Sequence, residues 1–151
     1  MPSIVIETYI HVPIERCFDL SRSVDLHTDS MKHTGEKAIA GRTGGLIDLG
    51  ETVTWEAKHF GIRQTLTSKI TEFDYPNYFV DEMVSGAFKS FRHEHRFVAK
   101  GGQTLMTDIF SFESPLGFMG RLGNVLFLKS YMKRLLQKRN EIIKQVAESL
   151  S

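Results

Sequence analysis

Cysteine is nearly absent from this chain, since Cys17 is the only one among its 151 residues. A single thiol cannot form a disulfide within the chain, which excludes the class of small secreted domains that depend on disulfides. We therefore expect a reducing, cytoplasmic setting. No sequence feature brings a histidine next to Cys17, so the sequence predicts a small packed side chain there and not a nucleophile.

A surplus of charge of one sign is also lacking. The 19 basic and 18 acidic residues leave a formal net charge of +1, whereas a surface that binds phosphate groups needs an excess of lysine and arginine. No uninterrupted apolar run reaches the length of a membrane span, and the N-terminal residues do not resemble a secretory signal. We expect no nucleic-acid partner and no integral membrane association.

The N-terminal part is predicted to contain one strand and two short helices. Ser3 to His11 alternates between apolar and polar residues, which indicates a strand. Pro13 is suited to the first position of a helix that runs to Leu20, and a second helix is predicted from Val24 to Lys32. The segment from Gly35 to Gly50 holds five glycines and is predicted to be a flexible connection with a short strand at Glu36 to Ala40.

The middle of the chain is predicted to be an antiparallel meander. Connections of two to a few residues separate the strands, and a parallel crossover would need a dozen or more. The predicted strands are Glu51 to Phe60, Ile62 to Phe73, Asn77 to Val84, Phe88 to Lys100 and Gln103 to Glu113.

The last segment is predicted to be one long amphipathic helix. Ser114 is a suitable cap before Pro115, and the helix is expected to end near Glu148. Apolar residues recur at three- and four-residue steps and indicate the face that packs on the sheet. The opposite, solvated face is predicted to carry Arg134, Lys138, Arg139, Glu141 and Lys144.

These elements predict a single α+β domain over 1–151. One long helix can cover the apolar face of a sheet only if the sheet curls around it. We therefore expect a curved antiparallel sheet of about seven strands around the C-terminal helix, with two short helices after the first strand. Such a wrap commonly leaves a cavity between sheet and helix.

The order of these elements resembles the helix-grip fold of the START-like, or SRPBCC, superfamily, over essentially the whole chain. The segments GETVTWEAKHFG, FVDEMVSGAFKSFRHEHRF and LFLKSYMKRLLQKRN are similar to a bacterial group of SRPBCC proteins described as ligand-binding. The superfamily includes polyketide cyclases and lipid-transfer domains. The resemblance implies a cavity for a hydrophobic ligand, and it transfers no catalytic residue by position.

The register of the last two strands can be predicted from Gly101-Gly102, a pair suited to a two-residue hairpin turn. Counting back from this turn puts His95 opposite Asp108 and His93 opposite Phe110. Both histidines then face the interior, while Glu94 faces outward, because side chains alternate along a strand. The same count predicts three more pairs: Phe91 with Phe112, Phe97 with Met106 and Ala99 with Thr104.

Three interpretations of this polar group remain open. His93, His95 and Asp108 supply the ligand types of a metal site, but their spacing alone is a weak signal. Asp108 could orient His95 as a general acid or base. The simplest interpretation is a polar pair on a pocket wall that contacts the polar end of a ligand. We expect no metal and no cofactor.

Two further positions bear on the interior. Phe60-Gly61 predicts a turn that places Trp55 opposite Leu66, and so large a side chain is more often core than a platform for a ligand. Either Asp81 or Glu82 is predicted to face the cavity beside the histidines, but the length of the turn at Ser85 to Ala87 leaves open which one it is.

The predicted function is the binding, and possible transport or sequestration, of a small or medium hydrophobic molecule such as a lipid, an aromatic compound or a polyketide-like compound. Two alternatives are a cyclase or dehydratase that uses His95 and Asp108, and a protein-interaction module with a filled core. The entrance is predicted to be formed by the 41–50 loop with Leu116, Phe118, Met119 and Leu122. The predicted ligand-binding residues are His93, His95, Asp108, Phe91, Phe97, Met106, Phe110, Phe112, Trp55, Phe118, Met119 and Leu122.

Overall fold

The computed structural model of the protein describes residues 2–86, 88–114 and 122–149, with the side chains of 122–125 left out. Within these residues the secondary structure follows the predicted order, with ends that differ by a few residues. The strands are β1 (Ser3–Ile10), β2 (Lys37–Gly41), β3 (Thr52–His59), β4 (Ile62–Asp74), β5 (Tyr78–Ser85), β6 (Ser90–Lys100) and β7 (Gln103–Glu113). The helices are α1 (Ile14–Ser21), α2 (Val24–Ser30), a 3-10 turn (Lys32–Thr34) and α3 (Leu122–Ser149).

All seven strands form one antiparallel sheet in the order β1-β7-β6-β5-β4-β3-β2. Strands β2 to β7 pair with their neighbours in sequence, and β1 completes the sheet beside β7. Irregularities between Ala38 and Ala40, and between Ile70 and Glu72, interrupt the ladders of β2 and β4. Bulges of this kind bend and twist strands, which helps the sheet to curve as predicted.

The two registers that were counted from turns are confirmed. Lys100 pairs with Gln103, His95 with Asp108, and Phe91 with Phe112 across β6 and β7. Trp55 pairs with Leu66 across β3 and β4. Gly101 and Gly102 both have positive φ, at 56° and 87°, as the predicted two-residue turn requires.

Helix α3 covers the concave face of the sheet, and its buried stripe includes two polar residues that were not predicted there, Arg139 and Asn140. Leu135, Leu136 and Ile143 are buried as the periodicity indicates. Arg139, however, is only 4% exposed, so its predicted place on the solvated face is wrong. Arg139 lies four residues from both Leu135 and Ile143 and therefore shares their face of the helix.

Aromatic side chains hold α1 against the sheet. Phe18 is fully buried, and its ring packs edge-on against Phe73, Tyr75 and Phe79 with centroid distances of 5.0–5.2 Å. Cys17, next to it, is buried too, and burial raises the pKa of its thiol to about 12. Both residues therefore belong to the packed core, which confirms the structural interpretation of Cys17.

No helix in the described ranges combines the length and the hydropathy that a membrane span needs.

Replacement of Phe18 by alanine is expected to lower the free energy of unfolding by about 3–5 kcal/mol, because it removes a buried ring and leaves a void in the contact between α1 and the sheet. The same substitution at Phe60, whose side chain is 56% exposed, is expected to change stability by less than about 0.5 kcal/mol. Urea unfolding of both variants measures the difference. Equal losses in the two variants would contradict the packing described for α1.

Candidate functional site

A cavity of about 980 Å³ lies between the concave face of the sheet and α3. Strands β3 to β7 supply one wall, and α3 and α2 supply the other. Apolar and aromatic side chains make up most of this surface, among them Trp55, Ile70 and Leu135. The described side chains therefore leave space in the interior of the fold.

The cavity opens between the β3–β4 turn and the N-terminal half of α3. Phe60 and Phe127 line it, yet they are 56% and 54% exposed, so they lie at its mouth. The Phe60 ring also stands 4.6 Å from the ring of Tyr131, whose hydroxyl lies 2.6 Å from Nδ1 of His59. These contacts join the turn to the helix at the rim.

The predicted entrance residues fall largely outside the described chain. Leu116, Phe118 and Met119 lie outside the described residues, and so does the side chain of Leu122. The 41–50 loop contributes Ile47 to the cavity wall. Hydrogen bonds from Val24 N to Gly45 O (2.9 Å) and from Ile47 N to Arg22 O (3.3 Å) fasten this loop to the start of α2.

The predicted wall residues divide into two layers. Trp55, Phe91 and Phe110 line the cavity, as do His93 and His95. Four others are buried in the packing and are not among its described lining residues: Phe97, Met106, Asp108 and Phe112. Inward orientation on the sheet was therefore predicted correctly, but it does not distinguish the first layer from the second.

Asp108 is the centre of a buried polar cluster that joins the sheet to α3. Its side chain is 1% exposed, and its Oδ1 lies 2.8 Å from Nε2 of His93. The side-chain amide of Asn140 donates to its Oδ2 at 2.6 Å. The guanidinium of Arg139 lies 3.6 Å from Oδ1. Two α3 residues thus compensate the charge of a β7 carboxylate.

His95 and Asp108 are cross-strand neighbours as predicted, but the hydrogen bond expected between them is not formed. His95 Nδ1 lies 3.4 Å from Asp108 Oδ1 and has no hydrogen-bond partner within the described structure. Instead His95 Nε2 lies 2.8 Å from Oδ2 of Asp81 on β5. Asp108 is hydrogen-bonded instead to His93, which lies diagonally across from it on β6. Both ring nitrogens of His95 therefore face carboxylates.

The question left open between Asp81 and Glu82 is answered by the pairing of β5 with β6. Asp81 lies opposite His93 and lines the cavity. Glu82 lies on the outer face, where Thr71 Oγ1 donates to its carboxylate at 2.8 Å. Glu94 also faces outward, as predicted, and pairs there with Arg92 and Arg96.

Burial and neighbouring charges shift the pKa values of the two histidines in opposite directions. Burial lowers the pKa of His93, and the adjacent His95 lowers it further, so the contact with Asp108 does not restore it. Burial would also lower the pKa of His95, but the nearby carboxylates of Asp108 and Asp81 outweigh it and raise the pKa. His95 therefore keeps an extra proton to a higher pH than His93 does.

The pKa values of the two carboxylates, Asp108 and Asp81, are both lowered. Burial would raise the pKa of Asp108, but the contacts with His93 and His95 hold it well below its usual range. The pKa of Asp81 is also lowered, because the hydrogen bond from His95 outweighs burial. Both groups are ionised at neutral pH.

Asp81, His93 and His95 also satisfy a distance criterion for a metal site, since one ligand atom from each lies within 4.8 Å of the others. Both Nε2 atoms are already hydrogen-bonded to carboxylates, and the two imidazole rings are stacked 3.8 Å apart at 25°. Coordination of an ion through the Nε2 atoms would break both of these hydrogen bonds.

The sequence analysis missed three features of the site: Arg139, Asn140 and the orientation of Asp81 on β5 toward the cavity. The four-residue steps Leu135–Arg139–Ile143 place Arg139 on the buried face and were available as a signal. No sequence pattern paired Asn140 with Asp108, because this contact joins residues 32 positions apart.

The opposite shifts of the two histidines predict that the free energy of unfolding is largest near neutral pH. His93 has its pKa below the ordinary 6.5, so the unfolded chain binds the extra proton as pH falls below 6.5, and stability is lost on the acid side. His95 has its pKa above 6.5, so stability is lost as pH rises through that higher value. Each slope approaches about 1.4 kcal/mol per pH unit in urea unfolding.

Replacement of one histidine should reduce one slope. His93→Gln is expected to make the acid side shallower and leave the alkaline side; the acid slope that remains comes from His59, whose pKa burial also lowers. His95→Gln is expected to flatten the alkaline side and leave the acid side. His33→Gln, on the exposed 3-10 turn, serves as the matched control and should keep both slopes. Unchanged slopes in the His93 and His95 variants would contradict the assigned protonation states.

Comparison with known proteins agrees with this architecture. The chain superposes on TTHA0849 from Thermus thermophilus with a TM-score of 0.73 and 18% identity, covering 97% of this chain and 99% of that one. It superposes on Ara h 8.0201 with a TM-score of 0.73 and 15% identity, covering 98% of each chain. Ginseng major latex-like protein 151 from Panax ginseng gives a TM-score of 0.67 and 16% identity, covering 97% of each.

At these identities the structures show a shared fold alone, and no curated protein sequence matches the chain. The expected resemblance to the START-like superfamily is confirmed by a family model described as polyketide cyclase/dehydrase and lipid transport, which matches residues 1–148. The chain belongs to that family.

Proposed function

We propose that this protein binds a small or medium apolar molecule, such as a lipid, an aromatic compound or a polyketide-like compound, in the cavity between the sheet and α3. The observation that carries the proposal is the cavity itself: about 980 Å³ of space with a mostly apolar wall and, on one side, the buried polar cluster of the two histidines and their carboxylates. Pockets for small organic ligands have this composition and occupy roughly 300–1,000 Å³.

The wall supplies the binding energy in this proposal. Trp55, Phe91 and Phe110 present large aromatic faces to the cavity, and removal of apolar surface from water contributes about 25 cal/mol per Å². The exposed rim of Phe60 and Phe127 gives such a ligand an apolar path from solvent. The family description, which combines cyclases with lipid transport, is consistent with a ligand of this kind.

Neither alternative from the sequence analysis is favoured by the geometry. A protein-interaction module with a filled core does not agree with a cavity of this volume. An enzyme that uses His95 as its acid or base would need a ring nitrogen free to meet a substrate. Both nitrogens of His95 instead face the carboxylates of Asp81 and Asp108, so His95 is better suited to orient its neighbours.

Replacement of Ala57 by phenylalanine tests the cavity as the binding site. Ala57 is buried on β3 and lines the cavity, so a phenyl ring there is expected to occupy the space that a ligand uses. Binding of the neutral fluorescent probe N-phenyl-1-naphthylamine should weaken by at least about tenfold, or ~1.4 kcal/mol.

The matched control is Ala99→Phe, which adds the same ring at an exposed position near the end of β6. It is expected to bind the probe as the unmodified protein does. Circular dichroism of both variants verifies the fold. Equal probe binding by all three proteins would show that the probe binds elsewhere and would overturn the proposal.

A further inference from the structure

The polar side of the cavity offers hydrogen-bond acceptors. Asp81 keeps 19% of its side chain exposed, and within the described structure only His95 donates to it, through Oδ2. A carboxylate oxygen only accepts hydrogen bonds. Oδ1 of Asp81 is therefore left for a donor that enters the cavity.

His93 presents a second acceptor. Its Nε2 lies 2.8 Å from the Asp108 carboxylate, so this nitrogen must carry the ring proton that is donated to Asp108. A neutral imidazole with a proton on Nε2 has a lone pair on Nδ1. No hydrogen bond from the described residues reaches Nδ1. Asp81 and His93 are cross-strand partners, so the two side chains that carry these acceptors are neighbours.

The cluster behind these acceptors is electrically balanced. Asp81 and Asp108 carry two negative charges, and Arg139 supplies one positive charge. His95 supplies the other, because Nε2 donates to Asp81 and Nδ1 faces Asp108 Oδ1 at 3.4 Å. A lone pair on Nδ1 would face that oxygen unfavourably, whereas a second proton makes the contact attractive. A charged ligand would disturb this balance in a poorly solvated site.

The cationic side chains of the described lining are already occupied. Arg139 donates to Ser21 O at 3.1 Å and to Asn140 Oδ1 at 3.0 Å. Arg22 donates to Asp19 Oδ1 at 2.9 Å and to Ile47 O at 3.2 Å. Glu36, the other lining carboxylate, adds further acceptors. An anionic head group would therefore face carboxylates without a free cation to bind.

We propose that the ligand is an uncharged apolar molecule ending in a hydroxyl group, which donates to Asp81 beside His93, and that carboxylates and ammonium ions of equal chain length are discriminated against. This inference rests on the proposed function, since it assigns the ligand class of the same cavity. Asp81 acts as the residue that determines specificity.

Displacement of N-phenyl-1-naphthylamine by dodecan-1-ol, dodecanoate and dodecylammonium at neutral pH tests the inference, with the alcohol kept below its solubility limit and the two ions below their critical micelle concentrations. The three molecules share one apolar chain, so the head group decides their order. Dodecan-1-ol is expected to bind at least about tenfold more tightly than either charged molecule.

Asp81→Asn keeps an oxygen acceptor for His95 and removes the charge. The preference for the alcohol over dodecanoate is expected to fall to within about threefold in this variant, a loss of most of a tenfold difference. Glu82→Gln, the adjacent residue on the outer face, is the matched control and should keep the full preference. Circular dichroism verifies that both variants are folded.

The outcomes separate this inference from the function on which it rests. If dodecanoate or dodecylammonium binds as tightly as dodecan-1-ol, or if Asp81→Asn keeps the full preference, the assigned ligand class is wrong while the cavity still binds apolar molecules. If neither the probe nor any of the three molecules binds, the proposed function fails, and this inference fails with it.

Discussion

A buried carboxylate imposes the constraint on which the rest of this structure depends. Asp108 lies on β7 with its side chain 1% exposed, and an unpaired charge in such a place costs several kcal/mol or more. The chain compensates it from two directions, with His93 on the neighbouring strand and with Asn140 and Arg139 on α3. These contacts fix where the helix meets the sheet. Because the helix is fastened there, the space toward the β3–β4 turn stays open as the cavity.

The same compensation divides the interior into regions of different chemistry. Around α1 the aromatic rings that surround Phe18 form a largely apolar contact, with the Arg22 guanidinium over the rings of Phe18 and Phe73. Near the middle, the cluster of Asp81, His95 and Asp108 is polar and charge-balanced. Between this cluster and the exposed rim of Phe60 and Phe127, the wall is apolar. A ligand with one polar end and an apolar body fits this arrangement, with its polar end at the cluster and its apolar body along the wall toward the mouth.

Much of the fold follows from local features of the sequence. Gly101-Gly102 fixes the hairpin turn, and the alternation of side chains then places His93, His95 and Asp108 inside. The hydrogen-bond partners of the two histidines could not be predicted from this register, because they depend on a third strand. Asp81 on β5 is hydrogen-bonded to His95, and Asp108 is hydrogen-bonded to His93. Whether an inward side chain lines the cavity or lies in the packed core could not be predicted either. The alternation of side chains along a strand assigns only a side of the sheet, so it does not distinguish the lining residue Phe110 from the core residue Phe112. Arg139 was misplaced because its charge was given more weight than its helical position.

A structure of the protein with dodecan-1-ol bound tests the central claim most directly, because it locates both ends of the ligand at once. The account predicts that the hydroxyl oxygen lies about 2.6–3.2 Å from the Asp81 carboxylate and that the alkyl chain runs along Trp55 and Phe91 toward Phe60. A ligand bound outside the cavity, or one whose hydroxyl points toward the mouth while its chain meets Asp81, would contradict it.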